Sequence, residues 1–254
     1  MKYHKANKKH WDRISSDWAR MHDRRGDWQK VHNQPHLVFL DRELEILGPV
    51  DNQNVCVLGS GDNLAVFALA GMGANVTSVD ISPEQLKTAS KRADSLGLEV
   101  KFIEADVANL NSLGDEEFDI VYTGGHVAVW VSNLRKYYKE AVRILREDGL
   151  IIVNEYHPFR RIWKEKEDSL EIAFNYFEDG PHEFNGLGNM YKDENSSDEH
   201  YEFHWTLSQF YNSIAQQGVE IFCFEEIGDN AEGWEIPPME GLPQMLLLAG
   251  NKKG

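Results

Sequence analysis

The stretch Val55-Cys56-Val57-Leu58-Gly59-Ser60-Gly61-Asp62-Asn63-Leu64 decides how the rest of the chain is read. Its first four residues are apolar throughout, as a strand buried on both faces requires, and they run straight into a two-glycine turn. Residues 64–72 are small and apolar and read as a helix closing near Gly71 and Gly73. A strand, a glycine turn and a helix start bring free backbone N–H groups to a point that no Cβ obstructs, where a ligand can approach the main chain. A ligand-free strand-to-helix connection needs much the same residues, so the weight falls on the strands and carboxylates further along the chain.

The pattern recurs. Residues 75–79 form a second strand that stops at Asp80. Ser82 then offers an N-cap, Pro83 takes the first helical position, and Gln85 completes a capping-box pattern; Gly97 ends that helix. A third strand, 100–104, leads to Asp106, and a fourth, 118–122, leads to Thr123-Gly124-Gly125. A helix over about 133–145 carries Leu134, Tyr138, Ala141, Val142 and Leu145 at helical spacing, and the turn Asp148-Gly149 opens a fifth strand, 150–154. Short connections between alternating strands and helices predict a parallel sheet covered on both faces.

Beyond residue 200 the rhythm changes. Thr206 and Gln209 form a capping-box pattern for a helix stopping at Gly218. Two apolar strands follow, 219–224 and 244–249, joined without a crossover helix by a Gly- and Pro-containing link of about 227–243, so they should pair antiparallel. The chain reads as one α/β domain: a helical cap over 1–50, with Trp11, Ile14, Trp18 and Met21 at helical spacing; a cofactor-binding core over 51–156; an acidic insertion over 157–201; and a closing helix and strand pair over 202–254. The insertion holds Tyr176, Phe177, Phe184, Tyr191 and Tyr201 and reads as a lid over an apolar pocket.

Composition narrows the function classes. The net charge of −16 repels phosphate backbones and makes nucleic acid a poor partner. No apolar run approaches the roughly 20 residues that span a bilayer, and no apolar stretch follows the basic start Met1-Lys2-Tyr3-His4-Lys5, so neither a membrane span nor a secretory signal is read. Cys56 and Cys223, both in apolar strand-like runs, read as buried free thiols in a reducing cytoplasm. His182, His200 and His204 are spaced too loosely to predict a metal.

Two carboxylates carry the chemistry of the strand ends. Asp80, at the carboxyl end of the second strand, can accept hydrogen bonds from both ribose hydroxyls of a nucleoside. Asp106 ends the third strand at the same edge, where a carboxylate can accept from an adenine amino group. A nicotinamide dinucleotide fits less well, because Leu64 stands where its fingerprint wants a third glycine or an alanine.

Residues 55–61, Thr77-Ser78-Val79-Asp80-Ile81-Ser82, Ile103-Glu104-Ala105-Asp106-Val107, Phe118-Asp119-Ile120-Val121-Tyr122 and Arg146-Glu147-Asp148-Gly149 resemble, in order, the successive motifs of class I S-adenosylmethionine-dependent methyltransferases. Leu242-Pro243-Gln244-Met245-Leu246-Leu247-Leu248-Ala249, ahead of Lys252 and Lys253, resembles the last strand of that family. The resemblance implies a Rossmann-like sheet of seven strands, one antiparallel, with helices on both faces. It implies S-adenosyl-L-methionine as cofactor and S-adenosyl-L-homocysteine as product. It would place Gly59, Ser60 and Gly61 along the methionine part, Asp80 and Ile81 on the ribose and adenine, Asp106 and Val107 at the adenine edge, and Thr123 or Gly124 near the sulfonium. Two positions depart from the pattern. Val57 replaces an acidic residue that grips the cofactor's amino group, for which Asp62 is the substitute in reach, and Asn63 replaces a glycine, where Asn tolerates a left-handed backbone.

An oxygen nucleophile needs a base, and His126, after the fourth strand, and His157, after the fifth, are the candidates, with Glu155, Tyr156 and Trp130 placed to line the same crevice. The implied activity is methyl transfer to an O or N atom of a small molecule by a cytoplasmic monomer or homodimer. The alternatives are a cofactor-binding protein without transfer, or a methyltransferase of RNA or protein using a basic face of Lys8, Lys9, Arg24, Arg25, Arg160 and Arg161.

Overall fold

The computed structural model describes residues 2–164, 169–185, 199–228 and 241–254. In chain order its helices are α1 (Lys2–Arg25), α2 (Asp41–Leu47), α3 (Leu64–Gly71), α4 (Pro83–Leu96), α5 (Leu134–Ile144) and α6 (Leu207–Ala215). Its strands are β1 (Asn54–Leu58), β2 (Asn75–Asp80), β3 (Val100–Glu104), β4 (Phe118–Gly124), β5 (Leu145–Tyr156), β6 (His182–Asn185), β7 (Glu199–Glu202), β8 (Val219–Ile227) and β9 (Met245–Lys252).

Seven of these strands make one sheet in the order β3-β2-β1-β4-β5-β9-β8. Neighbours from β3 to β5 run parallel, while β9 is antiparallel to both β5 and β8, so one strand is reversed, as the sequence leads one to expect. The strand order turns between β1 and β4, and in open α/β sheets that switch point, at the carboxyl ends, is where ligands bind.

Each face of the sheet buries its own core. On one side α5 and α6 bring Tyr137, Tyr138, Ala141, Phe210 and Ile214 onto Cys56, Leu58, Val121 and Val153. On the other, α3, α4 and the segment around α2 bring Phe67, Ala89, Ala93, Phe39 and Leu47 onto Val55, Val57 and Tyr122. Both cysteines are buried and free, as expected. β6 and β7 form a separate antiparallel pair, and α1 packs on β7 and α4 rather than on the sheet.

Local signals behave as their chemistry demands, with two corrections. Ser82 accepts the Gln85 N–H at 3.2 Å and Gly97 closes α4 at φ +68°, but the Gln85 side chain is buried without a hydrogen bond, so only half of that capping box forms. Thr206 and Gln209 form the complete box on α6. Asn63 does not use a left-handed backbone. At φ −74° and ψ 132° it is extended, and its Oδ1 caps α3 by accepting the Ala65 N–H at 2.9 Å.

Candidate functional site

The β1–α3 loop needs both its glycines. Gly59 has φ +61°, and a Cβ there would stand 2.4 Å from Val127 Cγ1, so only glycine lets the loop after β4 close on it. Gly61 has φ +46°, and its N–H donates to Asp80 Oδ2 at 2.7 Å. Asp80 Oδ1 accepts the Ser82 N–H, also at 2.7 Å, so this carboxylate straps the loop to the end of β2. Burial pushes Asp80 up to about 6, against the pull of those two amides. Ser60 turns away from the cleft: its Oγ lies 2.7 Å from Ser78 Oγ and bonds to the Val79 carbonyl. What Ser60 offers a ligand is therefore its main chain.

At the end of β3, Asp106 Oδ1 accepts the Ala108 N–H at 2.9 Å, while Oδ2 meets His4 Nδ1 of α1 at 2.6 Å. Val107 is buried beside it. Two further residues of α1 fasten to the same edge. Lys8 Nζ donates to the carbonyl of Ile81 at 3.1 Å and pairs with Glu104 at 2.5 Å; Ser82 Oγ donates to Asp12 at 2.7 Å. Asp80, Ile81 and Asp106 thus lie together under one helix. Lys8 is consequently not part of a free basic face.

Asp62, the expected substitute for the charge missing at Val57, meets Arg92 through Oδ2, while its Oδ1 is buried without a hydrogen-bond partner. Val57 is buried in the core, and the Asp62 carboxylate is buried against Arg92, which also binds Asp23 at 2.8 Å and the Ala19 carbonyl. Another buried carboxylate, Glu43, comes from α2. Val57 pairs in register with Tyr122, whose hydroxyl donates to Glu43 Oε1 at 2.9 Å; Glu43 Oε2 takes the Leu40 N–H. The Tyr122 hydroxyl reaches the level of Gly124, where an added Cβ would meet it at 2.7 Å. Nothing in the residue pattern around Glu43 announces this, since the contact depends on how α2 docks.

The other half of the cleft lies past β4 and β5. Thr123 faces the core, its Oγ1 2.5 Å from the Tyr137 hydroxyl, so Gly124 is the member of that pair left at the strand end. His126 sits in a left-handed conformation, φ +74°, and accepts a hydrogen bond from Arg161 at Nδ1, 2.6 Å away. A guanidinium only donates, which places the His126 lone pair at Nδ1 and its proton on Nε2. Burial and the two arginines, Arg161 and Arg160, hold His126 well below its ordinary range. Beside it Glu155 Oε1 accepts the Val127 and Ala128 N–H groups at 3.1 and 3.0 Å, and burial pushes this carboxyl up to about 7. His126, Glu155, Tyr156, Arg161, His204, Trp205 and Phe210 border a cavity of about 30 Å³, room for little more than a water or one reacting group. Burial disfavours the charge on Glu202, yet Arg161 and His204 hold it down to about 2.

His157 is placed differently. Its Nδ1 accepts the Phe159 N–H at 3.1 Å, capping the turn Pro158–Arg161, and its Nε2 pairs with Glu226 at 2.8 Å. Both ring nitrogens are in use away from the cavity, so the structure gives His157 the work of a turn cap. Of the insertion's aromatics, Tyr176 stands outside the cavity wall with its hydroxyl accepting the Leu207 N–H, Phe177 is exposed, and Tyr201 is buried against Tyr3. Phe184 stacks on His200, and Tyr191 lies outside the described residues, as does most of the 227–243 link. Among the described residues, no three His, Cys, Asp or Glu side chains gather as a metal would need, and no helix is long and apolar enough to cross a membrane.

The model of the methyltransferase domain family matches residues 56–153. The chain is 31% identical over 110 residues to the uncharacterized methyltransferase YbaJ of Bacillus subtilis, 43% of each chain, and 30% identical over 104 residues to the ubiquinone biosynthesis O-methyltransferase of Maricaulis maris, 41% of each. The matches thus span less than half the length of these relatives. A solved S-adenosylmethionine-dependent methyltransferase from Mesorhizobium loti superposes with a TM-score of 0.63 at 18% identity, covering 83% of this chain and 96% of that one. Residues 56–153 match the methyltransferase domain family, and the chain shares the fold of solved S-adenosylmethionine-dependent methyltransferases.

Proposed function

We propose that this protein transfers the methyl group of S-adenosyl-L-methionine to an oxygen or nitrogen atom of a small molecule. The observation that carries this reading is the convergence of Gly59, Gly61, Asp80, Ile81, Asp106 and Val107 at the switch-point edge of a sheet with this strand order. The cofactor, when bound, supplies an electrophilic methyl. The chain's part is to hold the nucleoside through Asp80 and Asp106, offer amides from the glycine loop to the amino-acid end, and leave Gly124 clear for the approach of an acceptor.

On the acceptor side we assign the proton-accepting role to Glu155 within the His126 wall. A carboxyl near 7 is matched to proton transfer at neutral pH, whereas the His126 lone pair is occupied by Arg161. The names of the relatives make a hydroxylated ring the first acceptor to try. A ring exceeds the 30 Å³ cavity, so the wall formed by 156–161 or 203–210 moves to admit it.

The test is thermal unfolding with S-adenosyl-L-homocysteine, with NADH as control. A ligand at about 100 times its dissociation constant adds about 2.7 kcal/mol, or about 5–10 °C for a domain of this size. A shift with NADH alone would overturn the reading. A second reading, binding without transfer, draws on Val57. Incubation with pooled metabolites and the methyl donor separates the two, because transfer creates products heavier by one methylene and binding creates none.

A further inference from the structure

The nucleoside half of the cleft is completed by a residue from outside the strand–helix repeat. We propose that His4 is a positioning residue of this site, holding the Asp106 carboxylate as a fixed acceptor so that a 6-amino purine is taken and a 6-oxo purine refused. The proposal rests on the reading of the cleft as an adenosyl site.

The His4 ring has one orientation and one tautomer. The Ser132 N–H donates to its Nε2 at 2.9 Å, and the Ser132 hydroxyl lies 3.0 Å from the same atom. A backbone N–H can only donate, so Nε2 carries the lone pair and the ring proton sits on Nδ1, facing Asp106 Oδ2 at 2.6 Å. With the Ala108 N–H on Oδ1, each oxygen of Asp106 is pinned by a donor and the plane of the carboxylate is set. The His4 side chain is 4% exposed, yet Asp106 keeps 22%, so the carboxylate retains an open side.

The charge state of Asp106 sets what it can recognise. An ionised carboxylate offers acceptors only, whereas a protonated one also offers a donor. Burial opposes the charge on Asp106, yet the hydrogen bonds from His4 and the Ala108 N–H hold it below the usual carboxylate range. The exocyclic amino group of adenine meets such a surface as a donor. The carbonyl of a 6-oxo purine would meet it acceptor against acceptor, and a site built on buried polar groups rejects such an analogue strongly.

His4 can be removed without undocking α1. Lys8 and Asp12 hold the helix to Ile81, Glu104 and Ser82. Asn7 ties it to the carbonyls of Trp130 and Tyr201 and accepts the Tyr201 N–H at 2.8 Å. Loss of one imidazole therefore leaves several contacts to keep the helix in place.

The experiment measures affinities of the full chain for S-adenosyl-L-homocysteine and for S-inosyl-L-homocysteine, its 6-oxo counterpart. In His4→Ala the adenosyl ligand should weaken by about tenfold while the inosyl ligand barely changes, narrowing discrimination by the same factor. His4→Asn, which keeps an N–H near the place of Nδ1, should recover most of the discrimination. Asp106→Asn, whose amide can turn a donor toward the oxo group, should shift preference toward the inosyl ligand. Discrimination in His4→Ala equal to the parent's, tighter adenosyl binding, or equal weakening of both ligands would each overturn the proposal, the last by showing a purely structural role. Failure of the parent protein to bind either ligand would instead overturn the adenosyl reading itself, and the proposal with it.

Discussion

The two halves of the cleft are built by different means. The cofactor half is made of turns: Gly59, Gly61 and Asp80 meet within a strand–turn–helix unit, and Asp80 closes the loop through backbone amides. The acceptor half is made of distant pieces: Glu155 on β5 holds the loop after β4, and Arg161 reaches His126 on one side and Glu202 on β7 on the other. The first arrangement needs local geometry to be right, and the second needs the docking of the insertion to be right. Damage should therefore read out differently, as lost binding in one half and lost turnover in the other.

The largest effect should come from the cofactor half. Asp80→Ala removes both the strap to Gly61 and the acceptor for a ribose, and should abolish the thermal shift with S-adenosyl-L-homocysteine, a loss of at least about a hundredfold in affinity. Near-normal binding in that variant would erase the distinction between the halves. Gly59→Ala comes next. Its positive φ and the approach to Val127 combine strain of roughly 1–3 kcal/mol with a displaced 127 loop, visible as a lower unfolding midpoint. This variant probes the seam, because Gly59 is where the two halves touch.

Glu155→Gln tests the acceptor half. The amide oxygen can still receive the Val127 and Ala128 N–H groups, so adenosyl-ligand binding should persist, while turnover on an oxygen acceptor should fall by roughly 10²–10⁴-fold. His157→Ala should cost about 1 kcal/mol of stability through the lost cap and leave ligand binding unchanged. Loss of turnover there without loss of stability would restore His157 as a candidate base.

The smallest effect is a pH dependence. Glu155 titrates near 7 when folded but near its ordinary 4.5 when unfolded, so its contribution to stability is full below about 4.5 and is lost as pH rises through 7. His22, lowered to about 4 by burial and nearby arginines, works in the opposite sense, its contribution complete above about 6.5 and lost as pH falls through 4. The two oppose each other between these limits. Removing the Glu155 charge takes away its share of the decline, so the unfolding midpoint of Glu155→Gln should gain on the parent's as pH rises from about 5 to 7.

The same division explains what is legible in the residues alone. The sheet, its reversed strand, the cap at Ser82 and the carboxylates at 80 and 106 follow from patterns a few residues long, and the structure brings them to one edge. Even there, the direction of a side chain is not legible: Ser60 and Thr123 turn into the protein because partners from β2 and α5 receive them. The pairing of Asp62 with Arg92, thirty residues on, leaves no local mark. Glu155 can be placed beside the crevice, but its grip on the 127 loop cannot. Nor can the work of Glu43 and Arg161, since each gains its role from a neighbour 35 to 79 residues away. His157 reads as a base because a histidine before proline looks the same whether it caps a turn or faces a cleft.

The fastening of α1 bears on how the chain reaches this state. His4 meets Asp106 across 102 positions and Ser132 across 128, so α1 leaves the ribosome well before the partners it docks on. Loop closure of that length is slow, and such long-range pairings lower folding rates. The early helix must wait, with Trp11 uncovered by Trp130, until the chain beyond β4 has been synthesised and the sheet edge exists to receive it. A chain truncated before Ser132 should accordingly show the solubility and protease sensitivity of an unfinished domain.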